Sequence, residues 1–240
     1  MHFKRVSRYV LYSSVQRKSR YCEKTMNHFL ISHHSSRFIE CKSTLDIVFA
    51  LPIADSIPKE QLSDAKKFIR GIIDGLTVSP QGTHVGLLGY FDYPRVELKL
   101  DTFYDREDIL RALSAVSTVD GFNNTRIDSA LKAAQADMFS EANGVRAYVP
   151  KVLVFLASGD ASNQDLKAAS MPLKLAGTTI IPLVVGNLET KAVAPMGTST
   201  RHYFASDTFD NLASKLDEIS KKLCAGKISS PCKTFFYFAG

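Results

Sequence analysis

The sequence predicts an α/β fold: a doubly wound, mostly parallel six-stranded sheet with one antiparallel edge strand and helices on both faces. Three observations carry this. Short, almost unbroken apolar runs at residues 47–51, 84–90, 152–156 and 180–185 have the length and composition of strands buried on both faces. Helical patterns alternate with them, which implies right-handed crossovers. The chain has 240 residues, 45% of them hydrophobic, which suits one compact domain plus tails. No apolar segment reaches the roughly 18 residues of a membrane span.

The elements follow in order. The first strand ends in Pro52-Ile53-Ala54-Asp55-Ser56, and Pro58-Lys59-Glu60-Gln61 opens a helix. Leu62, Ala65, Ile69, Ile72, Ile73 and Leu76 give that helix one apolar face. Ser79-Pro80-Gln81-Gly82 is a turn before the second strand. Val96, Leu98 and Leu100 alternate with Glu97 and Lys99, as on a half-exposed edge strand made antiparallel by its short connection. Asp105 caps a helix that runs to Val116, and residues 125–139 form another. Residues 164–175 are helical, with Pro172 expected to kink or shorten the helix. Pro182 requires its strand to be unpaired on one side there, or bulged. His202-Tyr203-Phe204 reads as a short strand. A last helix carries Phe209, Leu212, Leu216, Ile219 and Leu223.

The charge is uneven. Residues 1–40 hold eight Lys/Arg against two acids and so account for the whole net charge of +6; the remainder has 22 basic and 22 acidic residues. That remainder is neutral as a whole and carries no electrostatic footprint for nucleic acid. Residues 1–40 lack periodicity and a signal-peptide core. They read as a basic, disordered extension or a misassigned start exon, and residues 225–240 as a short tail. The domain is therefore 41–224.

Several stretches, in order, resemble the von Willebrand factor type A domain: Leu45-Asp46-Ile47-Val48-Phe49-Ala50-Leu51, Val85-Gly86-Leu87-Leu88-Gly89-Tyr90, Thr125 with Ala130-Leu131-Lys132-Ala133-Ala134, and Lys151-Val152-Leu153-Val154-Phe155-Leu156. The resemblance implies a metal-ion-dependent adhesion site at the carboxyl edge of the sheet. Its first loop reads Asp-x-Ser-x-Ser, a second loop adds a Thr and a third an Asp. Here the Asp has become Pro52 and the first Ser Ala54, while Ser56 remains. Thr125 is present, and the last Asp falls on Ser158. Both carboxylates are gone, so no divalent metal and no cofactor is expected. Asp55, Ser56, Thr125, Ser158 and Asp160 are the candidate ligand face.

Other chemistry finds little support. No Gly-rich turn follows the first strand to cradle phosphate. No G-x-S-x-G elbow surrounds Ser56. His84 and His202 sit at strand ends as structural residues, and His33-His34 has no second ligand pair at zinc spacing. The expected function is a non-enzymatic adhesion or protein-interaction module of an extracellular matrix or cell-adhesion protein. Family resemblance implies a collagen-like or other matrix protein as ligand, with no nucleic acid and no membrane insertion. An intracellular type A domain acting as an assembly scaffold is the alternative. The extracellular members also imply a Cys41–Cys224 disulfide, leaving Cys22 and Cys232 to pair with each other or with other chains. Asn123-Asn124-Thr125 is the one glycosylation sequon.

Overall fold

A computed structural model describes residues 44–224, except 187, 189, 200, 201 and 209. Six strands form one sheet: β1 (Asp46–Pro52), β2 (His84–Tyr90), β3 (Pro94–Leu98), β4 (Lys151–Ala157), β5 (Thr179–Val185) and β6 (Phe204–Ser206), in the order β3-β2-β1-β4-β5-β6. All pairs are parallel except β2 with β3. Every residue of β1 is buried, as its unbroken apolar run requires of a central strand. The helices are α1 (Lys59–Asp74), α2 (Arg106–Ala115), α3 (Ile127–Ala133), α4 (Leu166–Leu175), a single turn α5 (Thr190–Val193) and α6 (Leu216–Cys224).

Alternate strand residues feed two apolar layers. Ile47, Phe49 and Leu51 of β1 pack with Ile69, Ile72 and Ile73 of α1, Ile109 and Leu113 of α2, and Ile219 and Leu223 of α6. Val48, Ala50 and Phe155 pack on the other face with Ala130 and Leu131 of α3 and Leu166 and Leu173 of α4. The doubly wound architecture is therefore as the apolar runs foretell. From β1 the chain winds outward to β2 and β3, then crosses back to β4. The loops after β1 and β4 thus flank the switch point of the sheet, where open α/β folds leave a crevice.

Several details differ from the sequence reading. Residues 125 and 126 belong to the loop before α3. The last turn of that helix, Ala134–Met138, widens to π geometry, with the Phe139 N–H donating to Ala134 O at 3.0 Å. Pro172 does not end α4, which runs on to Leu175 because Leu166, Ala169 and Leu173 anchor it in the core. The edge strand β3 is bulged: Leu87 faces Leu98 but Leu88 faces Val96, so Glu97 is extra and strict alternation fails. The last short strand is shifted to Phe204–Ser206, and the final helix begins as a tight 3₁₀ stretch, Asp210–Lys215, before α6. Pro182 behaves as the chemistry demands. It pairs with Phe155 on β4, while β6 pairs only with Leu183, Val184 and Val185.

The amino edge of the sheet holds a buried ion pair. Asp46 is wholly buried and accepts from Arg146 Nε at 2.8 Å, Nη2 at 2.6 Å and the Arg146 backbone N–H at 2.7 Å. His84 packs beside it against the tilted Tyr104 ring, centroids 4.8 Å apart, with Nε2 3.0 Å from Pro80 O. This is the structural role the sequence assigns His84. Cys41 lies outside the described residues, as do Cys22 and Cys232.

Candidate functional site

Three loops meet at the switch point. The first, after β1, runs through Ile53, Ala54, Asp55 and Ser56 into α1. It is fastened to the second by backbone bonds, Val119 N–H to Ile53 O at 2.8 Å and Asp55 N–H to Phe122 O at 2.7 Å. The Ser56 hydroxyl donates to Asn123 O at 2.7 Å. The second loop in turn holds the third, since Thr125 Oγ1 donates to Ser158 O at 2.9 Å. Gly159 takes φ +99°, and a Cβ there would lie 2.0 Å from Thr125 Oγ1, so only glycine lets the loops approach this closely.

The loops enclose an open cleft of about 310 Å³ lined by Ser56, Asp92, Asn123, Thr125, Asp160 and Gln164, among others. Of the predicted candidates, Ser56, Thr125 and Asp160 therefore meet in one place. Asp55 does not join them, because its carboxylate turns to the Gly121 N–H at 3.1 Å. Ser158 contributes its carbonyl to Thr125. Asp160 is pinned by its own loop: Oδ1 accepts the Ser162 N–H at 2.8 Å and Oδ2 the Ser162 hydroxyl at 2.9 Å. These two bonds hold its carboxyl below the usual range.

Sequence reading missed three residues. Gln164 joins the loops: Nε2 donates to Thr125 O at 3.1 Å and Asp160 O at 2.7 Å, and Oε1 accepts the Asp128 N–H at 3.0 Å, a free donor in the first turn of α3. No sequence signal marks it. Asp92 brings a second carboxylate to the cleft and accepts from Asn124 Nδ2 at 2.8 Å. Arg126 forms a two-pronged pair with Asp128 at 3.0 and 3.1 Å, and this neighbour holds the Asp128 carboxyl below its ordinary range. Beneath the cleft, the buried Tyr90 hydroxyl donates to Leu156 O at 2.7 Å, and burial pushes its ionisation far up. Beside the cleft Phe91, Tyr93 and Phe122 pack edge-on or tilted as a trio with centroids 5.1 to 6.2 Å apart, and Tyr93 and Phe122 are exposed.

The donor set does not fit a divalent cation. Pro52 and Ala54 supply no oxygen from their side chains, Ser158 has no charge to offer, Ser56 and Thr125 are neutral and bonded to carbonyls, and the two carboxylates of the cleft, Asp92 and Asp160, are bonded to Asn124 Nδ2 and to Ser162. Among the described residues, no three His, Cys, Asp or Glu side chains come together as a metal cluster.

An open α/β sheet with a three-loop cleft at its switch point places a ligand-binding crevice where such folds carry one. The chain belongs to the von Willebrand factor type A domain family, whose model matches residues 46–220. It is 30% identical over 201 residues to matrilin-1 of Gallus gallus, covering 82% of this chain and 40% of that protein. It is 27% identical over 190 residues to the collagen alpha-6(VI) chain of Homo sapiens, covering 77% of this chain and 8% of that one. The chain thus spans less than half the length of these curated relatives. Proximal thread matrix protein 1 of the mussel byssus shares the fold with a TM-score of 0.70 and 23% identity, over 78% of this chain and 47% of that one; its metal-ion-dependent adhesion site holds zinc.

Proposed function

We propose that this domain is a non-enzymatic protein-binding module of an extracellular matrix or adhesion protein that engages its partner at the three-loop cleft without a metal ion. The observation that carries the reading is the cleft's chemistry. The family's charged ligand positions are Pro52 and Ser158, and the surviving hydroxyls of Ser56 and Thr125 tie loop to loop. At the family's own positions a Mg²⁺ ion would exchange its hydration shell for neutral donors, whereas such ions normally take one or two carboxylates from a protein; the two carboxylates that line the cleft, Asp92 and Asp160, are already bonded to Asn124 Nδ2 and to Ser162. What the face offers instead is a polar cleft with exposed aromatics on one side, the composition that anchors protein interfaces. The matrilin and collagen VI relatives support a matrix protein as the partner class.

Isothermal titration of Mg²⁺ and Mn²⁺ into the protein is expected to give no saturable heat, and binding to immobilised matrix proteins is expected to survive EDTA. A submillimolar site lost in a Ser56→Ala, Thr125→Ala double variant would show the opposite. If EDTA-resistant matrix binding is present, Tyr93→Ala is expected to weaken it by about 1–2 kcal/mol, as for an exposed aromatic anchor.

Asn123 is exposed, with its side chain beside the same cleft, so a glycan there would stand over the binding face. Expressed through a secretory route, the protein is expected to lose mass on treatment with an N-glycosidase, and Asn123→Gln to abolish that loss. An unchanged mass rules out occupancy. The Cys41–Cys224 bridge belongs to the same extracellular reading. Alkylation before and after reduction, read by peptide mass, distinguishes it from two free thiols.

A further inference from the structure

The outer surface of α4 is apolar where a helix over a sheet is ordinarily polar. Ala168, Met171, Pro172, Leu175 and Ala176 are all exposed, and they recur at the i, i+3, i+4, i+7, i+8 spacing of one helix face. Leu175 is 81% exposed and Met171 40%. The stripe continues past the helix end into a second cleft of about 420 Å³, lined by Phe139, Val145, Tyr148, Pro150 and Ala176 among others. Tyr148 stands fully in solvent at the mouth of this cleft, on a left-handed backbone with φ 63°. An aromatic ring held outward at such a conformation packs on nothing in its own domain. Contiguous exposed apolar surface of this kind marks a contact site.

Charge decides what covers it. Lys167 and Lys174 run along one border of the stripe, close enough that Lys167 helps hold the Lys174 ammonium below its usual range, after burial as the larger cause. Lys151 and Arg146 line the cleft, where Glu141 is the one acid; Arg146 is already paired with Asp46. Asp165 caps the far end of α4 through the Ala168 N–H. The border is therefore cationic. A second copy packed stripe to stripe would set lysine against lysine. The chain's own terminal segments are also basic: residues 1–40 carry the net +6, and residues 225–240 contain Lys227 and Lys233 and no acid. Neither complements the surface.

We propose that the outer face of α4 and the adjoining cleft dock an amphipathic helix of a partner protein, apolar on the buried side and acidic on its flank. A straight stripe at helical spacing matches ridge-into-groove packing against another helix. The cleft beyond Ala176 gives a concave end that receives a side chain, which a flat bilayer does not supply. Helices that follow parallel strands run back toward the amino edge, so the second cleft and the Leu175 end of the stripe lie at the opposite edge of the sheet from the three-loop cleft, while the Ala168 end starts four residues beyond Gln164. Both can be occupied at once, and the domain can then link one partner to another.

The test uses the full chain and a synthetic helical peptide with Leu at i, i+3, i+4, i+7 and i+8 and Glu on its flanks. A second peptide carries Lys in place of Glu. The Glu peptide is expected to bind saturably and shift backbone amide resonances of residues 145–151 and 166–177, leaving those of Thr125 and Gly159 in place. Leu175→Glu, on the surface, is expected to leave the melting temperature unchanged and to weaken the peptide by about tenfold or more. Tyr148→Gly removes the ring, relieves the left-handed backbone, and is expected to weaken the peptide while keeping the fold. The proposal is overturned if the Glu peptide does not bind, if the Lys peptide binds equally well, or if Leu175→Glu leaves its affinity intact. It is equally overturned if the protein prefers phosphatidylserine vesicles, or if sedimentation shows a dimer that Leu175→Glu dissolves.

Discussion

Arg146→Ala is expected to lower the stability of the domain by about 3–5 kcal/mol, the loss typical of removing one partner from a buried charge pair. Asp46 is wholly buried at the start of the central strand, and the Arg146 guanidinium meets it through both Nε and Nη2. The same Nη2 also donates to Leu45 O at 2.9 Å, so the arginine closes the amino end of β1 as well as its charge. Truncation leaves the carboxylate with the Arg146 backbone N–H at 2.7 Å and with His84 Nδ1 4.0 Å away. Neither replaces a two-pronged cation. Arg146→Lys should recover only part of the loss, since a point charge cannot reproduce the fork. Asp46→Asn in the Arg146→Ala background removes the stranded charge and keeps an acceptor for the backbone N–H, so the double variant should be more stable than the single. Urea denaturation of the set measures this. A loss under about 1 kcal/mol for Arg146→Ala would mean that water reaches the carboxylate and that the pair behaves as a surface bridge.

This ion pair also shows where sequence reading stops. Asp46 is visible in the sequence as a charged residue opening an apolar run, but its partner lies a hundred positions away in a loop with no periodicity. Strand β1, by contrast, is legible because burial on both faces leaves no room for anything but apolar residues, and the pattern is local. The same distinction divides the cleft. Ser56 and Thr125 are legible as site residues through the family resemblance, Ser56 in the loop after β1 and Thr125 just before the helical pattern that opens α3. Asp92 and Gln164 are not, because nothing in their neighbours says that three loops converge on them. Asp55 illustrates the converse: an acid at the right place in the chain whose side chain turns to the Gly121 N–H. The bulge at Glu97 defeats the alternation rule because one extra residue reverses the facing of all that follow.

Gly159→Ala is expected to cost about 2–4 kcal/mol, from a strained backbone worth about 1–3 kcal/mol and a lost hydrogen bond worth about 1 kcal/mol. At φ +99° an L-residue is strained whatever the space around it. Here there is also no space, since the new Cβ would lie 2.0 Å from Thr125 Oγ1 and 3.2 Å from Thr125 Cβ. Either the third loop or the second must move. In both cases Thr125 loses its bond to Ser158 O, and Gln164, which spans Thr125 O and Asp160 O, is pulled out of register. Gly177→Ala separates the two causes. Gly177 also has positive φ, at +78°, but nothing lies within 4 Å of its Cβ direction, so that variant should lose about 1–2 kcal/mol from backbone strain alone. Thr125→Ala in the Gly159→Ala background removes the colliding oxygen and should recover stability, giving a favourable coupling that distant sites would lack. Thermal melts of these three variants, of Thr125→Ala alone and of the unsubstituted protein report the stability side, and matrix binding in EDTA reports the site. If the three-loop cleft is the binding face, Gly159→Ala abolishes binding at temperatures where the domain remains folded, while Gly177→Ala leaves it intact. Equal binding by both would place the partner elsewhere on the domain.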